Sequence, residues 1–232
     1  MTKKTIGILG GMGPLATADL FQKITLHTVA ASDQEHPRVV IDSNTNIADR
    51  TAALLRGGKS PVSEMVKSAR RLESIGADFL VMPCNTAHNF FDEVEASVNI
   101  PMLHMIALTR DALRERGVTC AGLLATDGTV QTGIYRRTFA GSGVELLEPV
   151  GSDQRAVMDI IYNGVKAGNL AHDVSSFRRT CEELLANGAQ ALILGCTELP
   201  LAFDLYRLDY PAVDPTLELA LGAIRFAGCQ VK

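Results

Sequence analysis

Two apolar runs that each lead into a cysteine place the strongest constraint on this chain of 232 residues. Residues 79–88 read FLVMPCNTAH, and residues 191–200 read ALILGCTELP. A short apolar run is typical of a buried parallel strand, and open α/β sheets bind ligands at the carboxyl ends of such strands. We therefore expect each run to deliver one thiol, Cys84 or Cys196, to the mouth of a sheet.

The two runs occupy matching places in an internal repeat. Cys84 and Cys196 are 112 residues apart, and the Gly-Ala pairs at 76–77 and 188–189 that precede the two strands have the same separation. This correspondence predicts an α/β fold of two similar units, each with a mainly parallel sheet flanked by helices. Related halves would face each other across a pseudo-twofold axis, so we expect the active site in the cleft between them.

A second correspondence lies upstream and helps to divide the chain. Residues 6–11 (IGILGG) are echoed by residues 121–126 (AGLLAT). We expect a first α/β domain formed by residues 1–104 plus 212–232 and a second formed by residues 105–211. Within them, the patterns predict continuous helices over residues 15–31, 130–140 and 152–167.

Composition and charge exclude several classes of function. The net charge is −4, which does not favour nucleic acid as a partner, and no run of about 18 apolar residues predicts a membrane span. Five cysteines at irregular spacing do not form a disulfide framework. We expect a soluble, reduced, cytoplasmic protein with no nucleic-acid or membrane partner.

A glycine turn, GGMGP at residues 10–14, joins the first predicted strand to the first predicted helix. Its Gly11-x-Gly13-x-x-Ala16 pattern matches the dinucleotide fingerprint, but the candidate ribose-binding acid, Asp42, follows at about thirty residues rather than ~20. We therefore favour glycines that let the backbone turn near a small ligand, at a helix amino terminus suited to an anion.

Three chemistries could use Cys84 and Cys196. With His88, which follows Cys84 at helical spacing, they could form a weak zinc-ligand pattern. One thiol could be a nucleophile with His88 or His104 as its base. The third chemistry is two-base proton transfer, in which one thiolate removes a proton from a stereocentre and a thiol on the opposite face returns one. The remaining cysteines are interpreted as buried hydrophobes: Cys120, Cys181 and Cys229.

Four segments together resemble one family. Residues 8–14 (ILGGMGP), 44–51 (NTNIADRT), 82–88 (MPCNTAH) and 195–198 (GCTE) are similar to the aspartate racemase branch of the cofactor-independent aspartate/glutamate/hydantoin racemase superfamily. The resemblance implies a two-domain α/β fold, no pyridoxal phosphate or other cofactor, no metal, and a homodimer. A member would interconvert the L- and D-enantiomers of aspartate or of glutamate.

The resemblance also assigns roles to residues. It implies that Cys84 and Cys196 are the two catalytic bases, with Cys84 serving the D-enantiomer and Cys196 the L-enantiomer. Arg50 and Lys166 would neutralise the side-chain carboxylate of an acidic amino acid. The expected substrate-binding residues are Met12, Arg50, Asn85, Thr86, Ala87, Thr126, Lys166, Thr197 and Glu198.

Two alternatives remain open at this stage. One is a cysteine-dependent hydrolase or decarboxylase of the same superfamily, and the other is a catalytically idle amino-acid-binding protein. Aspartate and glutamate differ by one methylene, a difference worth only about 1–3 kcal/mol in a binding pocket.

Overall fold

The computed structural model describes residues 3–232 and contains two four-stranded sheets. The strands are β1 (Ile6–Gly10), β2 (Val39–Ser43), β3 (Phe79–Val81), β4 (Met102–Leu103), β5 (Cys120–Ala125), β6 (Glu145–Leu147), β7 (Ala191–Gly195) and β8 (Ala212–Val213). The α-helices are α1 (Pro14–His27), α2 (Arg50–Leu55), α3 (Val62–Ser74), α4 (Phe91–Glu95), α5 (Met105–Glu115), α6 (Asp127–Gln131), α7 (Ile134–Phe139), α8 (Ser152–Asp159), α9 (Ser175–Ala186), α10 (Leu199–Leu205) and α11 (Pro215–Phe226). Two 3₁₀ segments, Asp33–Glu35 and Thr86–Phe90, and a π-helical segment, Ile160–Lys166, complete them.

The two sheets share one topology. Their strand orders are β2-β1-β3-β4 and β6-β5-β7-β8, and neighbouring strands pair in parallel. In each sheet the cysteine-bearing run forms the inner strand, β3 or β7, that lies beside the amino-terminal strand of its unit, β1 or β5. The duplicated α/β fold predicted from the repeat is therefore confirmed.

Internal contacts divide the chain into two compact units. The first comprises the chain through Leu108 together with Thr216–Lys232, and the second comprises Thr109–Pro215. The boundaries expected from the sequence, after residues 104 and 211, lie four residues earlier. The last helix, α11, belongs to the first unit because its apolar face packs beside β1 and α1 in one buried cluster.

Alternating side chains on the strands bury both faces of each sheet. Phe79 and Val81 of β3 pack with α1 and α11, whereas Leu80 faces the cluster that contains α3. In the second unit, Leu192 and Leu194 of β7 pack with α9. Burial on two faces explains why these strands read as continuous apolar runs.

Three helices differ from the sequence prediction. Helix α1 ends at His27, because Thr28 leaves helical geometry and bridges Val231. The helix expected over residues 130–140 is broken into α6 and α7 by Gly133, whose φ of 65° is left-handed. The helix expected over residues 152–167 changes from α to π winding at Ile160.

Candidate functional site

The first unit presents its glycine turn at the carboxyl end of β1. Gly11 has a φ of 88°, and a Cβ built there would lie 2.4 Å from backbone atoms of Asn44, so only glycine allows the turn to approach this segment. Thr17 of α1 stabilises the turn, since its hydroxyl accepts from the Gly11 N–H (2.9 Å) and donates to the Gly13 carbonyl (3.0 Å). The turn is thereby held against the loop after β2.

Arg50, at the start of α2, ties the same two segments together. Its Nη2 donates to the Met12 carbonyl (3.1 Å), and its Nη1 donates to the carbonyls of Ala48 (3.0 Å) and Ile47 (3.4 Å). Asp49 caps α2 by accepting from the Ala52 N–H at 2.6 Å. The guanidinium that the sequence assigned to an anion is thus directed at backbone carbonyls of the turn and the loop.

Cys84 follows β3 and is buried, with 6% of its surface exposed. Its carbonyl accepts a hydrogen bond from Nδ1 of His88 (2.8 Å), and Nε2 of His88 accepts one from the Met105 N–H (3.1 Å). Because Nε2 is the acceptor, the neutral tautomer carries its proton on Nδ1. Asn85, Thr86 and Ala87 follow Cys84 and are also buried.

The environment of His88 keeps the imidazole neutral. Burial, and then the nearby His104, lower the pKa of His88 to about 3 from an ordinary value of 6.5, against the opposing bond to the Cys84 carbonyl. Its ring also stacks on Phe91, with centroids 5.6 Å apart. Since both ring nitrogens bond to backbone groups, His88 serves neither as the base for the Cys84 thiol nor as a zinc ligand in this arrangement.

Cys196 follows β7 in the second unit, and its neighbourhood is charged. The Cys196 thiol donates to Oε2 of Glu198 at 2.9 Å, and the Thr197 hydroxyl donates to the same oxygen at 3.3 Å. The ammonium of Lys166, at the end of the π-helical segment, donates to Oε1 of Glu198 at 2.5 Å. These contacts bring together four residues, of which the sequence analysis had assigned Cys196 to catalysis and the other three to substrate binding.

The electrostatics of this cluster oppose ionisation of Cys196. Burial raises the pKa of the Cys196 thiol well above its ordinary value, and the Glu198 charge and hydrogen bond raise it further. The Lys166 charge acts in the opposite direction. Tyr135, fully buried in the same unit, has a pKa raised by burial first, then by Asp214 and Cys196.

Thr126 occupies the turn after β5, the counterpart of the glycine turn. Its φ is −67°, and its hydroxyl lies 3.2 Å from the hydroxyl of Thr129. The strands β5 and β7 are parallel neighbours, and their carboxyl ends carry Thr126, Cys196 and Thr197.

Sequence reasoning missed the role of two residues. Thr17 showed no signal, because a threonine inside a predicted helix is unremarkable. His88 was considered as a base or a zinc ligand, but its bond to the Cys84 carbonyl was not predicted. The helical spacing between Cys84 and His88 is the signal that could have indicated this bond.

Within residues 3–232, two kinds of feature are absent. No group of three or more His, Cys, Asp and Glu side chains in this part of the chain is arranged to hold a metal ion. No helix formed by the same residues is long and apolar enough to cross a membrane.

Comparison with known proteins identifies a family model and several proteins that are similar to this chain. Residues 9–221 match the model of the Asp/Glu/Hydantoin racemase family. The aspartate racemase of Picrophilus torridus has a similar structure, with a TM-score of 0.84, 36% identity, and coverage of 99% of this chain and 96% of that one. The broad specificity amino-acid racemase RacX of Bacillus subtilis is 29% identical over 225 residues, which are 94% of this chain and 96% of that protein.

A more distant structure shows the fold alone. The glutamate racemase of Aquifex pyrophilus superposes with a TM-score of 0.63 at 21% identity, covering 96% of this chain and 83% of that one. The family match extends over both units and includes both cysteine-bearing strands. This chain therefore belongs to the Asp/Glu/hydantoin racemase family.

Proposed function

We propose that this protein is an isomerase that interconverts the L- and D-enantiomers of aspartate, and of glutamate as a second substrate, without a cofactor. The observation that carries the proposal is the placement of one buried thiol just beyond the carboxyl end of an equivalent inner strand in each unit. A pair of like acid–base groups is what inversion of a stereocentre by proton transfer requires. The family and the similarity to the Picrophilus aspartate racemase support the same reaction class.

The proposed reaction uses Cys84 and Cys196 on opposite faces of one α-carbon. One thiolate takes the α-proton, so its S–H bond forms while the Cα–H bond breaks and the electron pair moves onto the α-carboxylate. The other thiol then protonates the opposite face, which leaves it as a thiolate. Atoms and charge balance without an oxidant, a reductant or a metal, and each proton transfer is general acid–base catalysis.

Substrate recognition is assigned to polar groups next to the two thiols. Asn85, Thr86 and the Ala87 backbone would hold the α-carboxylate beside Cys84, while Arg50 and Lys166 would neutralise the side-chain carboxylate. The remaining residues assigned to the substrate pocket are Met12, Thr126, Thr197 and Glu198. The hydrogen bonds of Arg50 to backbone carbonyls fix the orientation of its guanidinium. A guanidinium has five N–H donors, so others of them would bind the substrate carboxylate.

The deciding experiment incubates the purified protein with single enantiomers and separates the products by chiral chromatography. We expect L-aspartate and D-aspartate each to approach the same mixture with no pyridoxal phosphate or metal added. Glutamate and alanine are run in parallel to define the substrate range. Binding of aspartate without inversion would indicate an idle binding protein, and release of ammonia or carbon dioxide would indicate a hydrolase or decarboxylase.

A second experiment tests the proposed independence from metals. The protein is dialysed against a chelator and assayed with and without added zinc. We expect unchanged racemisation in all samples, since the geometry of His88 removes it from the zinc-ligand pattern. Loss of activity that zinc restores would contradict the proposal.

We further propose that the protein is cytoplasmic and forms a homodimer. Leu15 and Leu26 of helix α1 and Val29, just beyond its end, have exposed apolar side chains. A second copy of the chain could cover these side chains. Light scattering after size-exclusion chromatography measures the assembly directly. A mass of one chain, 24.9 kDa, would contradict the homodimer.

A further inference from the structure

The segment that carries Lys166 leaves regular α-helical geometry at two points. Ile160–Lys166 form a π-helical segment, and Gly168 then turns the chain with a left-handed φ of 65°. Single π turns within helices are frequent at functional sites. The ammonium of Lys166 lies 2.5 Å from Glu198, so its position depends on how this segment is held in place.

Tyr206, at the carboxyl end of α10, bonds to this segment from a different element. Its hydroxyl donates to the Asn169 carbonyl at 2.7 Å, and the Asn169 N–H donates to the Gly164 carbonyl at 2.9 Å. Helix α10 begins directly after Glu198, so one short helix connects Tyr206 with the partner of Lys166. The tyrosine is thereby linked through two hydrogen bonds to the middle of the π-helical segment.

Gly164 makes this close contact possible. A Cβ built at Gly164 would lie 2.9 Å from the Tyr206 hydroxyl oxygen and 3.3 Å from Cδ2 of His172. Nε2 of His172 lies 2.9 Å from Oδ2 of Asp159, the residue that precedes the π-helical segment. The segment is therefore tied to neighbouring side chains before Ile160 and after Lys166, and the missing side chain at residue 164 leaves the space for Tyr206.

We propose, building on the proposed racemase function, that Tyr206 is a positioning residue for substrate specificity. Its bond to the Asn169 carbonyl, in the space left by Gly164, fixes the segment that presents Lys166 to the side-chain carboxylate of an acidic amino acid. Tyr206 acts only through Lys166 and does not touch the substrate. Its loss should therefore weaken recognition of the side-chain carboxylate and leave the rest of substrate binding unchanged.

The first test removes only the hydroxyl. In Tyr206→Phe we expect the KM for aspartate to rise by about 3–10-fold, the range that one neutral hydrogen bond represents, while kcat changes little. The inhibition constant of L-alanine, measured as a competitor of aspartate, should keep its wild-type value, because alanine has no side-chain carboxylate. Tyr210→Phe is the matched control, since it removes a hydroxyl of the same unit that donates to Glu182 at 3.1 Å, and it should behave as the wild type.

The second test follows the Lys166 amine in the absence of substrate. The wild type and both variants are treated with the N-hydroxysuccinimide ester of acetic acid, and acetylation of the peptide that contains Lys166 is timed by mass spectrometry. The ion pair with Glu198 protects this amine, so Tyr206→Phe should acetylate Lys166 several-fold faster. The side chain of Lys67, 63% exposed in the first unit, is the internal reference and should react at one rate in all three proteins.

A double variant tests whether Tyr206 and Gly164 act through one contact. Gly164→Ala should also raise the KM for aspartate, because the added methyl group meets the tyrosine hydroxyl. Adding Tyr206→Phe removes that oxygen, so the combined effect should be smaller than the product of the two single effects. A combined effect equal to that product would show that the two residues act independently, which would contradict the proposal.

The outcomes separate this inference from the proposed function. If the wild type racemises aspartate but Tyr206→Phe matches Tyr210→Phe in the KM for aspartate or in the acetylation of Lys166, then Tyr206 is not a positioning residue and only this inference is wrong. Equal weakening of aspartate and alanine binding also overturns it, because that result indicates a general disturbance of the site. If the wild type racemises no amino acid, the proposed function is wrong, and this inference with it.

Discussion

The two cysteine-bearing strands compare closely in backbone and differ in chemistry. Both β3 and β7 are inner parallel strands in sheets of the same order, and each leads to a buried thiol. Beyond the strand, Cys84 is positioned through its backbone by a neutral histidine, whereas Cys196 bonds through its thiol to a carboxylate. Duplication thus preserved the placement of the thiol, while the environment that governs its proton diverged.

The largest expected effect tests whether the two thiols are equivalent in function. Cys84→Ser and Cys196→Ser should each lower racemisation in both directions by about 10²–10⁴-fold, because a serine hydroxyl cannot hold a useful anion near neutral pH. In deuterium oxide, Cys84→Ser should still exchange L-aspartate with retention, and Cys196→Ser should still exchange D-aspartate. Chiral chromatography with mass detection measures both quantities.

Either of two results would contradict the prediction that the two thiols act as a pair. Rapid exchange of the same enantiomer by both variants would mean that the thiols do not act on opposite faces. Full racemase activity in one variant would remove that thiol from the mechanism.

The next prediction concerns the neutral histidine of the first unit and the pH dependence of the free energy of unfolding. The pKa of His88 is about 3 in the folded protein and about 6.5 when unfolded, so the unfolded state binds more protons between these values. The stability that neutral His88 contributes is complete above pH 6.5 and is lost as pH falls towards 3, at up to about 1.4 kcal/mol per pH unit. His88→Gln should be less stable at pH 7 but should lose this part of the pH dependence.

Urea unfolding at pH 7, 6, 5 and 4.5 measures this difference. His27→Gln, at the end of α1 in the same unit, is the control and should retain the wild-type slope. A His88→Gln slope that matches the wild type would show that His88 is not held neutral by its environment.

A smaller effect contrasts two glycines of the first unit, Gly11 and Gly57, which both have a left-handed φ. Gly11→Ala combines a left-handed backbone with a Cβ 2.4 Å from Asn44, and we expect a loss of roughly 3 kcal/mol in the free energy of unfolding. Gly57→Ala, with a φ of 63° and no atom within 4 Å of its Cβ, should cost only about 1 kcal/mol. Equal losses, measured by urea unfolding, would show that the approach to Asn44 is not tight.

The smallest effect concerns the cation of the first unit. Arg50→Ala should raise the KM for aspartate by about 10–100-fold, which corresponds to roughly 1.5–3 kcal/mol for hydrogen bonds to a charged group, and should affect alanine far less. Arg50→Lys should recover little, because an ammonium lacks the planar fork that reaches Met12 and Ala48 together. Equal effects on aspartate and alanine would assign Arg50 to holding the turn rather than to the substrate carboxylate.

The sequence alone was sufficient to predict the duplicated fold and the positions of the two thiols. Strands buried on both faces must be apolar throughout, so β3 and β7 are visible as local runs, and their common spacing reveals the repeat. The polar residues that follow each run had to lie at the carboxyl edge of a sheet. These features depend on neighbouring residues and on the spacing of the internal repeat, and both can be read from a single sequence.

What surrounds each thiol was decided only by tertiary structure. The bond between Lys166 and Glu198 joins residues on different elements, and Lys166 lies at the end of a π-helical segment where the sequence predicted a continuous α-helix. Arg50 likewise meets the Met12 carbonyl only because Gly11 brings its turn against the loop after β2. Such pairings arise from the packing of distant segments, so local sequence patterns do not predict which donor meets which acceptor.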